Sequence, residues 1–353
     1  MTKEDLMRVG IKKNVDLNTA KSLESFYDIV RTPDFDEGSR LLIPKHGTKI
    51  IGCSKNKICR FCGKGEGEVT FKKIAHAFPQ SIGNSALASN YECDDCNQFF
   101  GNTIENEYAN FFSLYHSIMK VNGKNGIPKC SFKIPCSMRT NKCAKNCVDI
   151  DFKDNIPYIR KCREVDSQYV NCTSDSIIIS KPVGNHCPIA VFKAIIKMAI
   201  TVMPIEEISI FSDTIKWILN PEQSNLYADK KLLVRYKMIP GFNVIEYPCY
   251  KLFKRKTTVW KKPYMLFNLT YGCFSLFVEI PRKSDECPNS EFIRVPFPEI
   301  PFYTSTEGTW DLSKQEGDKN LKHSITLSFD NITECTEDVE ISQENRVRFK
   351  SEL

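Results

Sequence analysis

The sequence predicts an α+β protein in two parts, a small cysteine-stapled module and a larger mixed α+β domain after it. Three observations predict this. Two C-x2-C pairs, Cys59 with Cys62 and Cys93 with Cys96, bracket thirty residues that read as strand, loop and strand. After the second pair, Phe100, Ile104, Tyr108, Phe111, Tyr115 and Ile118 recur at steps of three and four, one apolar face of a long helix. Further on, apolar runs with strand character alternate with two helical ones.

Taken in order, residues 1–52 read as an N-terminal extension, with "DLNTAKSLESFYDIV" as an amphipathic helix and "RTPDFDEGSR" as its turn-rich exit. Residues 53–120 form the organised module. Its first cysteine pair sits in a turn followed by Gly63, Gly65 and Gly67. "EVTFKKIAHAFP" then reads as a strand running into Pro79 and a Gly-Asn loop. "VNGKNGIPK", 121–129, is a surface crossing that opens the second domain, 121–335. In that domain "DSIIIS", "LLVRYKMI", "FNVIEYPCYKLF" and "YMLFNLTYGCFSLFVEI" have strand character, and "CPIAVFKAIIKMAITVM" and "EEISIFSDTIKWIL" are helical. The charged tail, 336–353, reads as frayed.

A chain of 353 residues buries a sizeable core, and a net charge of +6 permits a polyanionic partner without demanding one. The opening "MTKEDLMRVG" lacks an apolar signal-peptide core. The longest apolar run, "IAVFKAIIKMAITVM", is too short to span a bilayer and carries Lys193 and Lys197. The expectation is a cytoplasmic protein with no membrane partner. Its sixteen cysteines are then reduced thiols or metal ligands rather than a disulfide scaffold.

Two C-x2-C turns can each place two thiolates on one ion, so Cys59, Cys62, Cys93 and Cys96 predict a closed, structural Zn²⁺ site. A structural zinc typically supplies on the order of 10–16 kcal/mol of apparent binding free energy to a small fold. Cys130, Cys136, Cys143 and Cys147 include only one knuckle-like spacing and read as free thiols or a second zinc loop.

"CRFC…FKKIAHAFPQSIGN…NYECDDCNQFFGNTIENE" resembles the HNH endonucleases, the ββα-metal nucleases, in their zinc-stapled subgroup, over about sixty residues. The resemblance implies metal-dependent hydrolysis of phosphodiester bonds in nucleic acid, double-stranded DNA foremost, in restriction or anti-phage defence with a companion defence-system protein. It makes His76 the general base, a task that its ordinary pKa near 6.5 suits; the plainer reading is a structural histidine. It makes Asn97 a ligand of a catalytic Mg²⁺ or Mn²⁺, against a helix N-cap role. The loop-fixing asparagine maps to Asn90, with Asn84 as the alternative. Many family members carry a metal-binding Asp before the His, where this chain has Ala75. Glu105 is the nearest replacement, about two helical turns along, while Asp94 and Asp95 read as solvated knuckle residues.

"KLFKRKTTVWKKPY" is basic with interleaved aromatics. Lys254, Arg255, Lys256, Trp260, Lys261 and Lys262 therefore read either as a nucleic-acid track or as a lysine-protected sheet edge. The expected activity is that of an endonuclease. The rivals are a catalytically silent nucleic-acid-binding module, motivated by Ala75, and an RNA-cutting toxin.

Overall fold

The structure, a computed structural model, describes residues 23–31, 49–128, 148–153, 156–161, 170–173, 176–225, 227, 230–239, 245–259, 261–283, 288–298, 305–328, 333–334 and 339–340. Trp260, the four cysteines from Cys130 to Cys147, and all of the charged tail except 339–340 lie outside them. Both helices and sheets are present, as the α+β reading expects.

Tyr27–Arg31 (β1) is the first strand among the described residues, where the sequence pattern predicts the end of a helix. Its Tyr27 and Ile29 pair with Arg255 and Phe253 of a strand far along the chain. Long-range pairing overrides a local helical period here, because burying Tyr27 (1% exposed) against the sheet fixes the strand. Three short strands follow: Lys49–Ile51 (β2), Ala75–His76 (β3) and Leu87–Ser89 (β4). β4 is central, parallel to β2 and antiparallel to β3, with His76 opposite Ala88.

The expected strand over 68–79 is shorter than its pattern. Only Ala75 and His76 are in a ladder, because Asp94 captures the stretch before them. Its carboxylate accepts from the backbone amides of Lys72 (3.0 Å) and Lys73 (2.8 Å) and from Thr70 Oγ1 (2.5 Å). Asp94 is thus a clamp, not a solvated knuckle residue.

The predicted long helix is three: Asp94–Asn102 (α1), Ile104–Phe111 (α2) and Ser113–Ile118 (α3). Thr103 breaks the run at φ −119°, ψ −94°, and its hydroxyl donates to the carbonyl of Phe99 at 2.6 Å. The apolar stripe survives the break, with Phe100, Ile104, Tyr108, Phe111, Tyr115 and Ile118 all buried.

The second part follows in chain order. Its strands and helices are Val148–Lys153 (β5), Ile156–Lys161 (β6), Val170–Cys172 (β7), Ser176–Pro182 (β8), Pro188–Val202 (α4), Ser212–Leu219 (α5), Leu233–Met238 (β9), Ile245–Arg255 (β10), Met265–Gly272 (β11), Phe274–Glu279 (β12), Asn289–Ile293 (α6), Thr306–Asp311 (β13) and Lys322–Ser328 (β14). The main sheet is antiparallel, in the order β1-β10-β11-β12-β9-β13. The near-continuous apolar text of β11 and β12 follows from burial on both faces. Met265, Phe267, Leu269 and Tyr271 enter the large core, while Leu266 enters a smaller one with Tyr27, Phe277 and Phe292.

α4 is buried on every side, which explains its membrane-like hydropathy; among the described residues no helix is long and apolar enough to cross a membrane. Its two lysines are wholly buried and fully engaged. Lys193 Nζ donates to the carbonyls of Asn220 (3.0 Å) and Glu222 (3.2 Å), just beyond the C-terminus of α5. Lys197 Nζ meets Glu92 at 2.8 Å and Glu105 at 2.9 Å.

The cysteine module and the second part share one core. Phe61, Phe78, Phe100 and Tyr108 pack in the same cluster as α4 and the main sheet. Tyr108 and Tyr271 share a 2.7 Å hydroxyl contact, and His116 Nε2 lies 3.1 Å from the Tyr271 hydroxyl, so His116 is the packed helix residue it was expected to be. Arg60, between the first two cysteines, reaches the C-terminal end of α4. Its Nη1 donates to the carbonyls of Ile200 (3.0 Å), Thr201 (3.1 Å) and Met203 (2.6 Å), while Tyr91 stacks on its guanidinium at 3.5 Å.

Hydrogen bonds to a charged group are worth roughly 1.5–3 kcal/mol each, and these three share one nitrogen. Arg60→Leu is therefore expected to destabilise the full chain by about 3 kcal/mol, read as a lower thermal unfolding midpoint. A variant melting with the wild type would show that the contact carries nothing.

Candidate active site and metal centre

The four knuckle cysteines converge. Their Sγ atoms all lie within 4.8 Å of one another, with Cys62 and Cys93 at 3.8 Å. Local backbone bonds build each turn: the Cys59 amide donates to Lys64 and the Gly63 amide returns to Cys59, with Gly63 at φ +75°, where a side chain is disfavoured. The Arg60 amide donates to the Tyr91 carbonyl at 2.8 Å and joins the two knuckles.

The thiols do not ionise alike. A hydrogen bond from Cys96 draws the Cys59 thiol down to about 5, against the effect of burial. The same bond pushes Cys96 far up, and burial raises Cys93 to about 11. Four thiolates need a divalent charge, and the donor set is that of a closed zinc site. A closed four-sulfur donor set leaves no open position for a substrate.

Cys93 also occupies the N-cap position of α1. Asn97 therefore lies inside the helix, its amide bonded to the Cys93 carbonyl at 2.9 Å, and the N-cap explanation for it falls away. Its half-buried side chain makes no hydrogen bond among the described residues.

The turn from β3 to β4 is held by Asn84. Its Nδ2 donates to the carbonyls of Phe78 (2.8 Å) and Leu87 (2.9 Å), and its Oδ1 accepts from the amides of Ala86 (3.2 Å) and Leu87 (2.9 Å). All the hydrogen-bonding capacity of this buried amide is spent on the loop after His76. Asn90, to which the sequence reading gave that role, instead lies just past β4, with its backbone amide on Ile51. Spacing from His76 pointed to Asn90; the Gly-Asn turn was the better signal.

His76 ends β3 half-buried, with Nδ1 buried and unpartnered among the described residues. Burial lowers its pKa from 6.5, Glu105 opposes this, and Lys197 and Lys124 add to it. Ala75 is buried at 2% exposure and offers no donor atom.

Lys197 and its two carboxylates were not legible as a site. Burial disfavours the Lys197 charge, but Glu105 and Glu92 outweigh it and keep it protonated. Glu92 is wholly buried, which raises its carboxyl to about 7, with Lys197 opposing. A lysine inside an otherwise apolar helical run was the available signal, since such a charge demands a partner.

The basic strip is occupied internally. Lys254 pairs with Glu207, Arg255 donates to the Lys262 carbonyl, Lys256 to that of Glu24, and Lys262 pairs with Glu291. Lys261 is exposed, and it too has an interaction within the chain. The strip is the β10–β11 hairpin end, where Lys254 and Lys262 meet carboxylates while Arg255 donates to a backbone carbonyl that leaves its charge in place.

Residues 59–113 match the family model of the HNH endonucleases. That span runs from the first knuckle cysteine to the start of α3 and contains β3, β4 and α1, a ββα unit. No curated protein and no solved structure matches the chain. The chain thus carries an HNH endonuclease module together with a further α+β domain.

The metal centre predicts one zinc per chain, measurable by elemental analysis. Cys96→Ser is expected to lower zinc content severalfold and to lower the unfolding midpoint, because structural zinc binding is folding energy. Full zinc retention in that variant would remove Cys96 from the site.

Proposed function

We propose that the protein is a metal-dependent endonuclease that hydrolyses phosphodiester bonds, with double-stranded DNA as substrate. The observation that carries it is the placement of His76: the last residue of β3, on a loop pinned by Asn84, in a ββα unit tied together by four thiols.

In this reading His76 takes the proton from the attacking water. Asn84 holds the loop and so the ring, the role first given to Asn90. Asn97 offers its carbonyl oxygen to a hard cation, Mg²⁺ or Mn²⁺, which when bound would stabilise charge on the phosphate and the leaving oxygen. Cys59, Cys62, Cys93 and Cys96 hold zinc and take no part in the chemistry. Ala75 favours a second reading, a nucleic-acid-binding module that does not cut, because the position before the base supplies no carboxylate.

Plasmid nicking in Mg²⁺, in Mn²⁺ and in EDTA separates the two. Metal-dependent cutting is expected, and His76→Ala should lose about 10²–10⁴-fold in rate, the usual worth of a general base. Binding without cutting in either metal would establish the silent module. Cleavage of tRNA in preference to plasmid would overturn the DNA assignment.

The pH profile gives a second check. The base must be neutral, and a pKa held below 6.5 by burial keeps it neutral through pH 7. Nicking should be flat from pH 7 upward and fall only as pH drops below about 6.5. A rate still rising with an apparent pKa above 7 would exclude His76 as the base.

A further inference from the structure

The turn that follows α3 lies outside residues 59–113, and the fold braces it at three points. The first is a left-handed cap on α3. Lys120 stands at φ +58°, its amide donates to the Ser117 carbonyl (3.3 Å), and the Val121 amide donates to that of His116 (2.9 Å). A residue other than glycine holds that conformation only where its surroundings fix it. The second brace does so. Val121 is 2% exposed, and a Cβ built on Gly272 would meet its Cγ2 at 2.8 Å, so the methyl is packed on the backbone between β11 and β12.

The third brace brings the turn to the site. Gly123 and Gly126 exchange two backbone hydrogen bonds of 3.1 Å and close a turn with Lys124 and Asn125 at its tip. Gly123 backs onto the loop that leaves β3: a Cβ built on it would lie 3.6 Å from the Gln80 carbonyl oxygen and 3.7 Å from Ser81 Cα. This is the loop that Asn84 pins after His76. Lys124 is exposed and makes no ion pair or hydrogen bond among the described residues, whereas Lys254 and Lys262 meet carboxylates. Burial is the main cause that lowers the His76 pKa, and the Lys124 charge adds to it, in keeping with that placement. A lysine binds phosphate as a point charge, and a braced turn has little backbone freedom to lose on doing so.

We propose that Lys124 is a substrate-binding residue whose ammonium group takes a backbone phosphate of the nucleic-acid strand lying over the His76 loop. The inference rests on the endonuclease reading above for the class of its ligand. It assigns the positioning of that strand to a residue beyond the knuckle module.

The test is binding of a fluorescently labelled DNA duplex to the zinc-loaded full chain, read by anisotropy over a series of salt concentrations, with plasmid nicking in Mg²⁺ and in Mn²⁺ in parallel. Lys124→Ala should bind about three- to tenfold more weakly, and its plot of log affinity against log salt should be shallower by about 0.9, the slope that one phosphate contact carries. Zinc content and unfolding midpoint should match the wild type, and Lys124→Arg should recover both affinity and slope. Lys319→Ala removes an equal charge from an exposed loop of the second part and should change neither. Wild-type affinity and slope in Lys124→Ala overturn the proposal. An equal loss in Lys319→Ala also overturns it, because net charge alone would then be at work, and so does a loss that Lys124→Arg fails to recover. A wild-type chain that binds the duplex without cutting it, and whose slope falls in Lys124→Ala, refutes the endonuclease reading and upholds the contact. A wild-type chain that cuts while Lys124→Ala binds unchanged refutes Lys124 alone.

Discussion

Four sulfur atoms within 4.8 Å of one another are the constraint on which the rest of the molecule depends. The two knuckles lie thirty residues apart, and between them the chain has only three-residue and two-residue strands to hold itself flat. So short a ladder cannot fix a hairpin by its own hydrogen bonds. The convergence of the four thiols fixes how β3 leads into α1, the elements that carry His76 and Asn97. Asp94, the residue after the N-cap cysteine, extends the effect. Once the helix start is placed, its carboxylate gathers the amides of Lys72 and Lys73 and so sets the approach to β3.

The staple also reaches outward. Arg60 lies between two of the ligands, and its guanidinium ends on the free carbonyls of α4, where the helix dipole favours a cation. From the other side α4 sends Lys197 into the module to meet Glu92 and Glu105. Two buried cations thus cross one interface in opposite directions. Removing one partner of a buried pair leaves an uncompensated charge and costs about 3–5 kcal/mol, so such contacts specify geometry more strongly than they add net stability. Apolar packing alone would tolerate some sliding of α4 along the module. A lysine that must reach two carboxylates tolerates much less.

What was legible in the sequence is what local chemistry decides. Paired cysteines, the β11–β12 run, the stripe from Phe100 to Ile118 and the α4 run all read correctly, because spacing and apolar period determine them. Some of the misreadings come from long-range partners and others from a local break or turn. Tyr27–Arg31 looked helical until β10 claimed it as an edge strand. The stripe looked like one helix because Thr103 breaks the axis without breaking the period. The basic strip carried two readings, and the partners of Lys254 and Lys262, Glu207 and Glu291, lie too far along the chain for spacing to reveal. Asn84 and Asn90 could not be ranked by spacing, since only the folded loop shows which amide has all four bonds to give.

The internal pairing of Lys254 and Lys262 also bears on how a chain of net charge +6 would meet a polyanion. Net charge steers approach only through cations that remain free to exchange partners. Lysines already paired within the fold release no counterions on binding, and they cannot supply affinity without first breaking contacts that order the sheet edge. The cations that act on His76 are differently placed: Lys197 is locked in the core, whereas Lys124 is exposed on the turn between Gly123 and Gly126.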